Sequence, residues 1–208
     1  MTTTTSRGGS AQRSPASHGP KIPMNGGVLS ELARAQAEVR ANYRSASVGQ
    51  IYSGTIWIVS AVAWSVVSTT SGILVLLIGG FFIYPVTVLI SRSLGHTASI
   101  PADNPLREAG YTIPIVGALG IPVVGVAALH DVDLFYPAFM VIMGAHYLPF
   151  SHLYGMRLFL ALGAGMWAGG VVIGLWFADL TVFGAWAIGL SLIAAGTVAD
   201  HLYRTEFG

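Results

Sequence analysis

The chain has 208 residues, 53% of them hydrophobic and only 9% charged, with a net charge of +1 and no cysteine. Soluble domains carry about 25% charged residues, so this composition excludes an ordinary water-exposed surface and points to a protein whose outer face meets lipid. The missing cysteines exclude disulfides, thiolate metal sites, cysteine nucleophiles and dithiol redox chemistry, and the near-neutral balance provides no basic surface for nucleic acid.

Residues 1–27 are rich in Thr, Ser, Gly and Pro and form an expected disordered N-terminal tail, with no signal-peptide-like apolar run in residues 1–17. Residues 28–47 form the second region. Leu29, Leu32, Gln36, Val39 and Tyr43 recur at helical spacing, Ser30 can cap the N-terminus, Glu31 suits the first turn, and Arg34, Arg40 and Arg44 make the other faces basic. This pattern predicts a short amphipathic helix on the inner membrane surface; a solvated extension of the first membrane helix is the other reading.

Residues 48–208 form the third region, predicted as a transmembrane domain. It contains six apolar stretches of near-spanning length, at 48–68, 72–91, 111–129, 134–150, 157–178 and 180–199. Asp133 is the expected N-cap of the fourth. Tyr84-Pro85, Pro114 and Pro122 predict kinks. Arg7, Arg13, Lys21, Arg34, Arg40, Arg44, Arg92, Arg107, Arg157 and Arg204 all fall on one side of this pattern, and the opposite loops contain no Lys or Arg. The positive-inside bias therefore orients both termini toward the cytosol. The opposite loops are short, so the expected fold is an all-α bundle of six transmembrane helices in three hairpins: first with second, third with fourth, fifth with sixth. Gly79–Pro85 (GGFFIYP) and Gly144–Pro149 (GAHYLP) are weakly alike, which leaves a threefold hairpin repeat open. Trp64, Trp176 and Trp186 toward the outer interface and Tyr43, Tyr52, Tyr111 and Tyr203 toward the inner one form the expected aromatic belts.

Several enzyme signatures are absent. The sequence has no H-E-x-x-H, G-x-S-x-G or Walker A motif, and no predicted span carries paired carboxylates. No catalytic residue, metal site or cofactor is predicted. The distinctive stretch is His146 to Arg157, at the inner end of the fourth span and the turn into the fifth. His146 is the ionisable side chain that lies clearly inside a predicted span. Such a group is a functional candidate by default, and imidazole can relay protons near neutral pH; a structural helix-end anchor is the competing reading. The candidate ligand or proton pocket is His146, Tyr147, His152, Tyr154 and Arg157, with Tyr84, Asn104 and Arg107 as outlying members. His146 is expected to face the bundle interior and to find a polar partner in Tyr84 or near Asn104. In the fifth span, Ala161, Gly165 and Gly169 at spacing four predict a close helix contact, within the bundle or in a homo-oligomer.

The segment Gly144-Ala145-His146-Tyr147-Leu148-Pro149-Phe150, followed by Leu153-Tyr154-Gly155, resembles a family of small uncharacterised bacterial integral membrane proteins. Asn104-Pro105-Leu106 and the first span from Gly49 to Trp64 support the likeness. The resemblance implies a bacterial cytoplasmic-membrane protein and marks the HYLPF…LYG region, without supplying a mechanism. The sequence thus favours a small-solute or ion transporter or channel-like protein with an inner polar pocket; a non-catalytic membrane scaffold or accessory subunit is the alternative. The lipid bilayer is the one definite partner, and the substrate is not specified.

Overall fold

The computed structural model describes residues 25–208, which are helical throughout, with no strand among them. The expected tail lies outside the described residues, apart from its last three, which already belong to α1. The elements are α1 (Asn25–Tyr43), α2 (Ser47–Val66), α3 (Thr69–Phe81), α4 (Ile83–Ser93), α5 (Arg107–Leu119), α6 (Ile121–His130), α7 (Phe135–Tyr154), α8 (Arg157–Trp176) and α9 (Thr181–Phe207), joined in part by short 3-10 turns. Five continuous or near-continuous helical segments are long and apolar enough to cross a membrane, and the α3–α4 pair makes a sixth if its two halves, bent by 51°, are counted together.

Local sequence explains the breaks. Pro85 lacks an N–H and sits in the first turn of α4, where the missing donor costs little, so the helix restarts there after the bend at Phe82. Pro122 similarly opens α6, after a break at Gly120. Pro149, in contrast, lies inside an unbroken α7. The two segments that looked like a repeat therefore have different backbones, one broken and one continuous. Two expected caps also shift. Ser30 falls inside α1, where its hydroxyl donates to the Gly27 carbonyl at 2.7 Å. Ahead of α7 the capping carboxylate is Asp131, which accepts from the Asp133 N–H at 3.0 Å.

The helix pairing goes beyond three simple hairpins. Each expected pair is in contact, α2 with α3, the α5–α6 segment with α7 and α8 with α9, and the most extensive packing is added across them, α7 on α8 and α2 on α9. Small residues set this order. A Cβ on Gly144 would lie 2.7 Å from the Gly163 carbonyl oxygen, and one on Gly54 would lie 2.5 Å from the Gly189 carbonyl oxygen, so both helix pairs meet backbone to backbone. In α8 the contact register is Gly163–Gly170. The predicted ladder is displaced from it: Gly165 has open space where a Cβ would go, and Gly169 meets only the Met140 methyl at 3.2 Å. Gly163, Gly165, Gly169 and Gly170 are indistinguishable in sequence because each satisfies the small-residue rule; the facing helix selects among them.

The centre of the bundle is aromatic. Along one face of α2, Gln50, Ser53, Trp57, Ser60 and Trp64 recur at heptad-like spacing toward α7. Trp57 packs edge-on against Phe139 at 5.6 Å, and Trp64 lies 4.9 Å from Tyr136. Ser60 is fully buried; its hydroxyl donates to the Gly72 carbonyl at 2.7 Å and pairs with the Tyr136 hydroxyl at 2.7 Å. Many apolar side chains, such as Leu129, Phe81 and Phe183, remain exposed around the outside, the arrangement that a lipid-facing surface tolerates and water does not.

Candidate polar site beneath the basic end

Among the described residues, the arginines gather where α1, the 94–106 loop, the α7–α8 turn and the end of α9 converge. α1 organises this end. Ala35 and Val39 are buried in the main core, which fixes the helix across the bundle. Gln36, Arg40 and Arg44, at spacing four, then face the same neighbours. The Gln36 amide donates to the His152 carbonyl at 2.7 Å, and Arg40 donates to the Tyr154 carbonyl at 2.7 Å. These are last-turn carbonyls of α7, which have no partner within their own helix. α7 ends at Gly155 with φ of 65°, a left-handed cap suited to glycine. Arg40 also forms a forked pair with Glu206 at 2.9 and 2.6 Å. Arg44 bonds Asp200, which also accepts from Arg204 at 2.8 Å. The Arg44 hydrogen bond holds the Asp200 carboxyl below its usual range against the opposing cost of burial, and the Arg204 hydrogen bond adds to the lowering. On the other side of α1, Asn104 donates to the Ala35 carbonyl at 3.1 Å and to Glu38 at 2.7 Å, and its own oxygen accepts from the Leu106 N–H.

Between α1 and α2 the chain turns through Arg44, Ser45 and Ala46, with φ of 50°, 53° and 63°. Left-handed backbone costs an L-residue roughly 1–2 kcal/mol, so three in a row represent on the order of 3–6 kcal/mol that the surrounding contacts must offset. Ser45 and Ser47 are both buried at this turn.

One turn further into α2 lies the polar site. Gln50 and Ser53 are buried and face the Tyr147 hydroxyl of α7. Gln50 Oε1 has no hydrogen-bond partner among the described residues, and neither has Thr87 Oγ1 on α4, whose hydroxyl lies 3.3 Å from where a Gly49 Cβ would be. A buried carbonyl or hydroxyl left unpaired costs about 1–3 kcal/mol, and such groups recur where water, an ion or a ligand completes them. Above this layer, Trp57, Tyr136 and Phe139 close the interior.

The predicted pocket residues separate into three groups. Tyr147 belongs to the Gln50–Ser53 site. Tyr154 is buried behind it, 5.2 Å from Phe159 in an aromatic cluster with Phe150. His146 turns toward α5: its ring packs over Gly117, 5.0 Å from Phe150, and the Ile113 carbonyl faces it without forming a well-aligned bond to Nδ1, which is enclosed and unpaired. Neither expected partner reaches it, because Asn104 is committed to α1 and Tyr84 stands beside Tyr43. His152 and Arg157 are exposed and line a shallow cleft of about 380 Å³ with Gln36 and Ser151. Arg107 is half-buried against the Tyr111 ring at 5.5 Å. Gln50 and Ser53 escaped the sequence reading because neither ionises. Their heptad spacing with Trp57, Ser60 and Trp64 was the available signal.

The fold and site together define an all-helical protein with membrane-length apolar helices and a buried polar layer near one end. The chain belongs to the DUF7010 family, a family of unknown function, whose pattern it matches over residues 32–200. That match includes most of α1, all of α2–α8 and α9 as far as Asp200. No curated protein and no solved structure matches the chain.

Proposed function

We propose that this is a six-span protein of a bacterial cytoplasmic membrane, with both termini in the cytosol, that binds and passes a small polar solute or ion through a site in the inner half of the bundle. The observation that carries the reading is Gln50: an amide within a membrane-length helix, buried, facing Ser53 and Tyr147, with its carbonyl oxygen unpartnered. Polar groups at such depth are costly unless completed, and in membrane proteins they mark solute and ion paths. Gln50 and Ser53 offer acceptor oxygens, and Tyr147 offers a hydroxyl that can donate or accept. Trp57, Tyr136 and Phe139 form the barrier on the outer side, and a passage cycle must displace them.

The test is flux in proteoliposomes. The purified chain should raise the permeation of at least one of H⁺, Na⁺ or K⁺, or of glycerol or urea, above that of empty vesicles, and Gln50→Leu, with its fold intact, should abolish the increase. Parent vesicles no leakier than empty ones to all three ions, and to glycerol and urea as small neutral solutes, would overturn the transport reading. A second reading, a scaffold or accessory subunit, is favoured by the exposed small-residue face of α8 at Ala161, Ala164, Gly165 and Ala168, where another helix could approach closely. In that case a homo-oligomer forms through the open Gly165 side, with Gly169 at its edge, and Gly165→Leu would dissociate it.

A further inference from the structure

We infer that α1 is a strap that closes the cytosolic entrance to the Gln50 site, held shut by Gln36, Arg40 and Arg44; this inference rests on the transport reading. Three independent features converge on it. First, on the side facing α7 and α9 the strap is held by polar side chains: Leu32, Ala35, Val39 and Tyr43 pack on the core, while Gln36 and Arg40 hold the α7 carbonyls and Arg40 and Arg44 hold α9. Polar attachments of this kind can be exchanged for water at small net cost. Second, its hinge is the left-handed run Arg44-Ser45-Ala46. That conformation persists while the contacts on both sides hold it and relaxes when they are lost. Third, a cleft of about 300 Å³ lies under the strap, lined by Arg40, Ser45, Gly155, Met156 and Glu206. Ser45 is 1% exposed, and its hydroxyl has no partner among the described residues. The cleft has room for several waters. It therefore marks a route, lined by Met156 and Leu202 as well as by the polar groups, from the cytosolic face to the hinge, one helical turn before Gln50.

The absence of native cysteine permits a direct test. Ser53→Cys is introduced into the full chain in proteoliposomes, and a charged, membrane-impermeant methanethiosulfonate is applied on the cytosolic face. In the same vesicles, trypsin cleavage after Arg40 and Arg44 reports detachment of the strap. Glu206→Gln with Asp200→Asn removes the charges that hold the two arginines; Gln36→Leu, which leaves every charge in place, is the milder variant if the double one does not fold. Release should speed cleavage and raise Ser53→Cys labelling roughly tenfold or more, the gain available when an open state of a few per cent becomes the major one. Faster cleavage with unchanged labelling would show that the strap does not cover the site. Unchanged cleavage would show that these contacts do not hold it. Either result overturns the strap. Strap-dependent labelling in a chain that passes none of the three ions and neither neutral solute would instead refute the transport reading and leave the strap standing.

Discussion

Alanine at Gly144 and alanine at Gly165 should shift stability in opposite directions. Both glycines lie inside helices of the same pair, so both substitutions gain the same helix propensity, roughly 0.5–1 kcal/mol. Their surroundings differ. A Cβ at Gly144 would lie 2.5 Å from the Trp167 backbone nitrogen and 2.7 Å from the Gly163 carbonyl oxygen. Neither atom belongs to a flexible side chain, so α7 and α8 must separate along their contact. Overpacking of this kind costs about 1–3 kcal/mol, occasionally more. Gly165 has nothing within 4 Å of its Cβ position and keeps the propensity gain. Because the propensity gain is common to both, Gly165→Ala should exceed Gly144→Ala by roughly 1–3 kcal/mol, the overpacking cost alone. Thermal unfolding of the two variants in the same mild detergent, followed by retention of the monodisperse peak, measures the difference. Equal midpoints, or a lower midpoint for Gly165→Ala, would refute the assigned register and restore the Gly165–Gly169 ladder as the packing face.

Three further outcomes are expected. A cysteine at Thr70 should label from outside intact cells and one at Ser99 should not; the reverse pattern would invert the topology. Ser60→Ala should destabilise by about 1–3 kcal/mol in chemical or thermal unfolding, because the Gly72 carbonyl and the Tyr136 hydroxyl lose their shared partner in a dry interior; a neutral result would mean that another donor replaces it. The Asp200 carboxyl is depressed in the folded state, so its contribution is complete above its ordinary pKa of 3.8 and is lost as the pH falls through the lower folded value. Acid should accordingly loosen the strap, seen as faster cleavage within α1 by an acid-active protease such as pepsin as the pH falls below about 4, and Asp200→Asn should flatten this dependence. A parent protein whose strap is equally protected above and below that pH would remove Asp200 from the account.

Much of the architecture was readable because membrane insertion reduces sequence to few variables. Apolar length and the placement of ten Lys and Arg residues determine where the long helices run. The breaks at Phe82 and Gly120 followed from Pro85 and Pro122. Pairing was less legible. Consecutive segments joined by short loops are near neighbours, yet the closest approaches, α7 to α8 and α2 to α9, depend on which small residues meet. Gly163 and Gly165 are chemically identical and two positions apart, and a rotation of the helix decides which one touches Gly144.

The site was harder still, for a related reason. The reading of His146 relied on ionisation as the mark of a costly buried group, but an amide in a membrane interior carries a similar obligation without any charge. Both groups meet that obligation only partly: Gln50 Oε1 and His146 Nδ1 are each buried without a partner among the described residues, and His146 lies between Phe150 of α7 and Gly117 of α5, apart from the Gln50–Ser53–Tyr147 group. The same logic applies to α1. Gln36 is the polar member of the helical spacing Leu29, Leu32, Gln36, Val39 and Tyr43, and it lies one turn before Arg40 and two before Arg44 on a row of donors. α7 needs donors at its C-terminal end, because its last carbonyls have no partner within the helix. An amphipathic helix with donors at spacing four therefore matches two surfaces at once: its buried residues meet the bundle, and its polar row completes a neighbouring helix end. That double match ties residues 28–47 to the bundle through named bonds to His152, Tyr154, Asp200 and Glu206, and it places the left-handed run Arg44-Ser45-Ala46 at the junction between the basic end and the polar site.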